Sequence, residues 1–256
     1  MDPMSQSCDA NQGETRKAVP KDLSVAKQPP ATLAPGTPFH LAELLQERLQ
    51  TLRRRPKRQR TRAQILAATA RQMERLGYEG LTVESITESL GMARGTFYLH
   101  FRDRSHAALT VLRVYHALRS RLRPRGGSAM PVREAITQFN VYYVAVYARN
   151  AQLLMGRESL MRDRQELARR GSQLNAKWAE RVLADVSKRH PRGRSTSDQS
   201  QLLLRIRGAL AMTDELLRQI YLVRAVGLER FTNNERAVVT AISDMWYRIV
   251  YAEVDP

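Results

Sequence analysis

The sequence predicts an all-α protein in which a small three-helix domain carrying a helix-turn-helix is joined to a larger helical domain. Three observations carry this reading. Apolar residues recur at helical spacing almost everywhere after residue 40. No run of strict alternation bounded by turn residues argues for a sheet. Two short helical segments between residues 82 and 101 are separated by a glycine turn. Composition permits such a fold: 43% hydrophobic and 26% charged residues over 256 positions suffice to bury a sizeable core.

The elements follow in order. Residues 1–40 are rich in Ser, Gln, Pro, Lys and Asp and almost lack large apolar side chains, which predicts a disordered tail. Leu41, Leu44, Leu45, Leu49 and Leu52 then mark an amphipathic helix that ends before Pro56; with the basic linker behind it, this unit spans 41–56. Its apolar face needs a partner. Breakers at Gly77, Gly80 and Gly91, at Pro124 to Pro131, at Pro191 to Ser197 and at Gly227 to Asn234 divide the remainder. Helices are expected at about 59–76, 83–90, 94–101, 104–122, 132–149, 151–190 with breaks near Gly156 and Gly171, 198–225, and 234–252. No internal repeat is present.

The charge is large. Lys and Arg number 42 against 25 Asp and Glu, a formal net charge of +17. Most of the excess is spread out, but Arg53, Arg54, Arg55, Lys57, Arg58, Arg60 and Arg62 form a run with no acid among them. Such a run is either a solvated linker or a surface for phosphates, and charge alone does not decide. A second patch, Arg113, Arg119, Arg121, Arg123 and Arg125, is equally open. The single cysteine, Cys8, can form neither an internal disulfide nor a cysteine-based zinc site. Every apolar stretch is interrupted by a charge before ~18 residues, and the Met-Asp-Pro start opens no apolar signal core. A soluble protein of the cytoplasm, without a membrane partner, is the expectation.

The segment from 60 to 104 is the informative one. Ile65, Thr69, Met73 and Leu76 share a helical face, and Gly77 supplies a stop. Thr82 stands at an N-cap position, able to accept a bond from the amide of Glu84 or Ser85. Ile86 and Leu90 face inward, Gly91 permits a sharp turn, Met92 enters the core, and Phe97 and Phe101 point inward at i and i+4. Arg94, Thr96, Tyr98, Leu99 and His100 then project from the opposite face, and a helix of this kind fits a DNA major groove. Arg94 suits guanine, Gly95 lets the backbone approach closely, and Tyr98 and His100 suit phosphate oxygens.

Gly77-Tyr78, Leu81-Thr82-Val83, Ile86, Gly91-Met92, Gly95-Thr96-Phe97-Tyr98, His100-Phe101 and Arg104 resemble the N-terminal DNA-binding domain of the TetR family of bacterial transcriptional regulators, over about residues 60 to 108. The resemblance implies base contacts from Arg94, Gly95, Thr96 and Leu99, and phosphate contacts from Thr82, Tyr98, His100 and Arg104. Lys57 and Arg58, just ahead, would reach a flanking backbone or minor groove. Two positions depart from the pattern: Ala93 stands where Ser or Thr is frequent before the recognition helix, and Arg104 where lysine is usual.

The resemblance further implies a DNA-binding domain at 57–104 and a ligand-binding and dimerisation domain at 105–256. The expected protein is a homodimeric repressor of a palindromic double-stranded operator, released by a small-molecule effector. Tyr143, Tyr147, Met155, Trp178 and Met212 either line an effector cavity or are plain core. Leu203, Ile206, Leu210, Leu217 and Ile220, with Val238, Ile242, Met245, Trp246 and Ile249, form stripes suited to a four-helix dimer interface. No cofactor, metal site or enzyme signature is expected: the five histidines form no i, i+3 or i+4 pair, and no phosphate-binding glycine loop or nucleophile elbow occurs. The competing classes are an architectural DNA-binding protein with steep salt dependence and no preferred sequence, and an enzyme housed in the helical bundle.

Overall fold

The computed structural model describes residues 33–163, 165–189 and 196–251. Among the described residues the chain forms α1 (Leu41–Thr51), α2 (Lys57–Leu76), α3 (Val83–Glu88), α4 (Arg94–Tyr98), α5 (Arg104–Arg121), α6 (Val132–Arg149), α7 (Ala151–Asp163), α8 (Gln165–Arg189), α9 (Thr196–Arg218) and α10 (Glu235–Val250). They contain no strand, so the all-α expectation holds. None of the described helices is long and apolar enough to cross a membrane.

The N-terminal half is built around α2. Its buried face, Ile65, Leu66, Thr69 and Met73, receives α1 on one side and α3, α5 and α7 on others. The partner that the leucines of α1 require is therefore α2. Leu41, Leu44 and Leu45 are buried there, each such burial contributing ~1.5–3 kcal/mol. Leu76, expected on the same inner face as Met73, is instead exposed at the last residue of α2, where the Gly77 amide closes the helix on the Met73 carbonyl.

Three sequence expectations need correction. The tail expected through residue 40 lies outside the described residues up to 32, but 33–40 pack against the body. The Gly36 amide donates to the Leu122 carbonyl at 2.6 Å, Phe39 is buried, and Asn150 on the far side of the fold accepts from the Leu41 amide at 2.8 Å. These docking partners are distant in sequence, which local composition cannot reveal. The breaks expected near Gly156 and Gly171 do not occur, because both residues lie inside α7 and α8. Gly156 serves another purpose: a Cβ there would come within 3.3 Å of the Tyr78 backbone nitrogen, so glycine lets α7 lie against the N-terminal half.

The third correction concerns the apolar stripes. Ile206, Leu217, Ile220, Val238, Ile242 and Trp246 are buried within the protomer, where α10 packs on α6 and α9. Two cross-helix bonds set that packing: Trp246 Nε1 donates to Thr213 Oγ1 at 2.8 Å, and Asn140 Nδ2 to Ser243 Oγ at 3.0 Å. These six residues are core of the protomer, while Leu203, Leu210, Met245 and Ile249 of the same stripes are only half-buried. The helix expected at 198–225 also ends early, at Arg218, passing into a π turn at Gln219–Val223 that leaves Arg224 left-handed at φ 52°.

Candidate nucleic-acid interface

Helix α3 is started by its own sequence. Thr82 Oγ1 accepts from the Ser85 amide at 2.9 Å, while Ser85 Oγ accepts from the Thr82 amide at 3.1 Å, a reciprocal cap that satisfies two otherwise unpaired donors. The hydroxyl of Thr82 is thus engaged in the free protein, although the residue remains exposed. Gly91, at φ 60°, then turns the chain, and the Met92 amide returns to the Thr87 carbonyl at 2.9 Å.

Helix α4 begins at Arg94 behind Ala93, which supplies no side-chain cap. It is shorter than the segment expected at 94–101, ending at Tyr98, with Leu99 and His100 in the turn that follows. Phe97 and Phe101 are buried with their rings 5.7 Å apart, which fixes the opposite face outward. On that face Tyr98 is 51% and Leu99 74% exposed, with Arg94 and Gly95 also exposed and Thr96 half-buried. Nothing lies within 4 Å of where a Gly95 Cβ would stand. No packing inside the protein requires glycine at that position, and glycine in a helix costs about 1 kcal/mol relative to alanine.

Two arginines brace this unit from behind. Arg62 on α2 donates to the His100 carbonyl at 2.9 Å and lies 4.4 Å from the Phe101 ring centre, which closes the C-terminal end of α4. Arg104 turns inward: its Nη1 donates to the carbonyls of Tyr78, Glu79 and Leu81 at 3.3, 3.1 and 2.5 Å, with the guanidinium over the Tyr78 ring. In the free protein Nη1 of Arg104, for which a phosphate contact was expected, is thus engaged with the protein itself, on a half-buried side chain. Its donors already hold the loop between α2 and α3 together. The loop is further fixed by a 2.7 Å bond between the hydroxyls of Tyr78 and Ser105.

The basic run proves to be largely helical. Because α2 starts at Lys57, the cations Lys57, Arg58 and Arg60 occupy its first turn, where no acidic residue offsets them and Pro56 offers no side-chain cap. Cations at the positive end of a helix are unfavourable by a few tenths to 1 kcal/mol each, a balance that an external anion reverses. This terminus lies close to the end of α4. Burial first, then Arg62 and Arg58, holds the His100 imidazole below its ordinary value, so it is neutral at neutral pH.

A sequence model of bacterial regulatory proteins of the tetR family matches residues 65–106, from the middle of α2 through the start of α5. Residues 65–106 thus form a DNA-binding domain of the tetR type. Neither a curated protein nor a solved structure matches it. TetR family members are DNA-binding transcriptional regulators and not enzymes, and the matched segment is the helix-turn-helix just described.

Outside that segment the residues expected to meet an effector fall into two groups. Tyr143, Tyr147 and Trp178 belong to one row of rings in which Trp178, Phe139, Tyr143, Tyr147 and Tyr221 follow one another at 5.3, 5.9, 6.5 and 6.3 Å between centres. Tyr143 donates its hydroxyl to Asp214 on α9 and receives a 3.4 Å bond from Arg119 on α5. Met212 is half-buried on α9, two residues before Asp214. Met155 does not join this group, being 41% exposed on α7. Sequence reasoning missed Glu84, which holds Arg94, and the pairing of Arg119 with Asp214 through Tyr143, since these contacts cross between helices and carry no local spacing.

Proposed function

We propose that this protein is a TetR family regulator, a cytoplasmic homodimeric repressor that places α4 in the major groove of a palindromic operator and leaves it when a small molecule binds the helical body. The outward face of α4 carries this reading: exposed Tyr98 and Leu99, the unpacked Gly95, and Arg94 at the helix start, all set against the buried Phe97. Arg94, Gly95, Thr96 and Leu99 meet base edges, while Thr82, Tyr98 and His100 take phosphates. Lys57 and Arg58 extend the phosphate contact along the flanking duplex. Arg104 serves the interface by shaping the loop behind it.

In this reading residues 57–104 form the DNA-binding domain, 105–256 the effector and dimerisation domain, and 41–56 a strap between them. One five-residue helix reads too few base pairs for a useful site, so a twofold pair of them is required. The effector acts only by binding the DNA-incompetent spacing of the two α4 helices more tightly than the competent one. The row from Trp178 to Tyr147, with Met212, supports an effector with an aromatic or extended apolar part.

The test is selection of random duplex DNA by the purified protein at near-physiological salt, with sequencing of the retained fragments. Enrichment of an inverted repeat is the expected result. Retention with no enriched motif and a steep loss on adding salt overturns the operator reading in favour of an architectural protein.

A further inference from the structure

A cavity of about 190 Å³ opens where the N-terminal segment, the end of α2, the junction of α6 with α7 and the π turn meet. His40, Glu74, Arg149, Gln152, Tyr221 and Arg224 line it, and none of these belongs to the DNA-facing set.

Its chemistry is lopsided. Tyr221 is only 4% exposed, yet its hydroxyl has no hydrogen-bond partner. Burial pushes that phenol up to about 12, so it remains a donor at neutral pH. Helix α7 begins at the same wall, and the residue before it, Asn150, does not cap it. Asn150 Oδ1 accepts from the Leu41 amide, and its Nδ2 donates to the carbonyls of Phe39 and Val146, each at 2.8 Å. The first amides of α7 therefore receive no acceptor from that side chain, at the positive end of a thirteen-residue helix.

The cations complete the picture. Arg149 and Arg224 both border the cavity, and the π turn is what brings Arg224 there, in a left-handed conformation that non-glycine residues seldom adopt. The Glu74 carboxylate lies 3.1 Å from His40 Nε2 and holds that imidazole above its ordinary value, against the burial that lowers it. Two arginines thus face one carboxylate across this lining; Arg149 Nη1 also donates to the Pro38 carbonyl at 3.0 Å, and Glu74 Oε1, like the Tyr221 hydroxyl, is buried without a hydrogen-bond partner.

We propose that this cavity binds a small organic carboxylate, whose oxygens accept from the Tyr221 hydroxyl, from Arg149 and Arg224, and from the opening amides of α7. The volume suits a compact acid of a few carbons and excludes a nucleotide. Because the cavity touches Glu74 near the end of α2 and the start of α7 at once, its occupant ties the DNA-binding half to the helical body. That regulatory consequence rests on the repressor reading, whereas the binding itself does not.

Isothermal titration of the full chain with pyruvate, L-malate and inorganic phosphate, each at ionic strength matched with chloride, tests it in the wild type and in Tyr221→Phe and Arg224→Gln. Saturable binding of pyruvate or malate, weakened tenfold or more by each substitution, is expected. Tyr221→Phe removes an unbonded hydroxyl and keeps the ring, so its melting temperature does not fall and lost binding is not unfolding. No saturable binding of either carboxylate, binding of phosphate alone, or binding indifferent to both substitutions overturns the proposal. Operator selection without any added acid separates the two ideas. An enriched operator with no carboxylate binding sinks only this inference, and carboxylate binding with no operator sinks only the repressor reading.

Discussion

Arg94 Nη2 lies 2.5 Å from Glu84 Oε1, so the guanidinium at the start of α4 is held by a carboxylate on α3, across the turn. Both side chains are well exposed, and such a pair adds only about 0–1 kcal/mol to folding. Its effect is positional. In the proposed DNA complex Glu84 would orient Arg94 for a two-bond contact with a base while setting one negative charge against the phosphates. Replacing Glu84 with Gln is expected to raise affinity for random duplex several-fold and to narrow the ratio of operator to random binding. Arg94→Ala is expected to lose ~1–3 kcal/mol at a single base pair. Fluorescence anisotropy over operators with single substitutions measures both, and a loss spread evenly over all positions would remove Arg94 from the base-reading set.

Arg104 makes a different prediction, because its donors face the protein. With three carbonyls of the 78–81 loop losing their partner, Arg104→Ala is expected to destabilise the fold by ~1–3 kcal/mol, a drop of roughly 3 to 10 °C in melting temperature. Arg104→Lys is expected to recover much of that loss, since all three bonds come from one nitrogen, which an ammonium with three N–H donors can replace, although the guanidinium's place over Tyr78 is lost. If Arg104→Ala melts normally while binding weakens uniformly across sequences, the residue is a phosphate contact after all.

Gly95 separates folding from binding most cleanly. A Cβ there meets open space, and its φ is not in the left-handed region. Gly95→Ala is therefore expected to leave thermal stability unchanged or to raise it by up to about 1 kcal/mol. In the complex the same methyl would stand between α4 and the groove floor, so operator affinity is expected to fall by at least tenfold. Retained affinity in a fully folded Gly95→Ala protein would mean that α4 does not approach the duplex at this point.

His100 gives binding a pH dependence of definite sign. Its free-state value is held down by burial, Arg62 and Arg58. A phosphate beside it favours the charged form, so DNA binding takes up a proton and affinity rises as pH falls from 8 toward 6. His100→Gln is expected to flatten that slope. His106 is a useful control, since its Nδ1 accepts from the Arg102 amide and its ring rests against Phe101. A slope that survives His100→Gln and disappears with His106→Gln would move the proton to the wrong side of α4.

The parts legible in the sequence were those decided within one or two turns of chain. Helix α6 occupies the expected 132–149 because Pro131 opens it and Asn150 ends it. Thr82, Gly91, Phe97 and Phe101 act as their types and spacing dictate. What escaped was decided by distant partners. An arginine at position 104 looks alike whether it faces phosphate or the carbonyls of residues 78–81. A glycine in a helix reads as a break, yet Gly156 is a place where Tyr78 comes close. A helix packed on its own protomer shows the same stripe as one packed on a second copy, so spacing alone did not reveal that Ile242 and Trp246 pack inside the protomer.

For the proposed dimer, the outer side of α9 is then the candidate face. With the inner stripe of α9 buried, its outer side presents Leu204, 71% exposed, followed by Gly208 and Ala211, also exposed. Spacings of four and then three residues place the three on one face. A Gly208 Cβ would meet nothing within 4 Å, so no contact inside the protomer accounts for a glycine in mid-helix. A second α9 crossing here would account for it, since small residues let two helix axes approach and Leu204 then becomes buried. Leu204→Glu would put a charge into that desolvated contact. The expected result is a folded monomer by sedimentation, with unchanged helical circular dichroism and operator affinity reduced by about a hundredfold as one half-site is lost. A Leu204→Glu protein that still sediments as a dimer would place the interface on another surface.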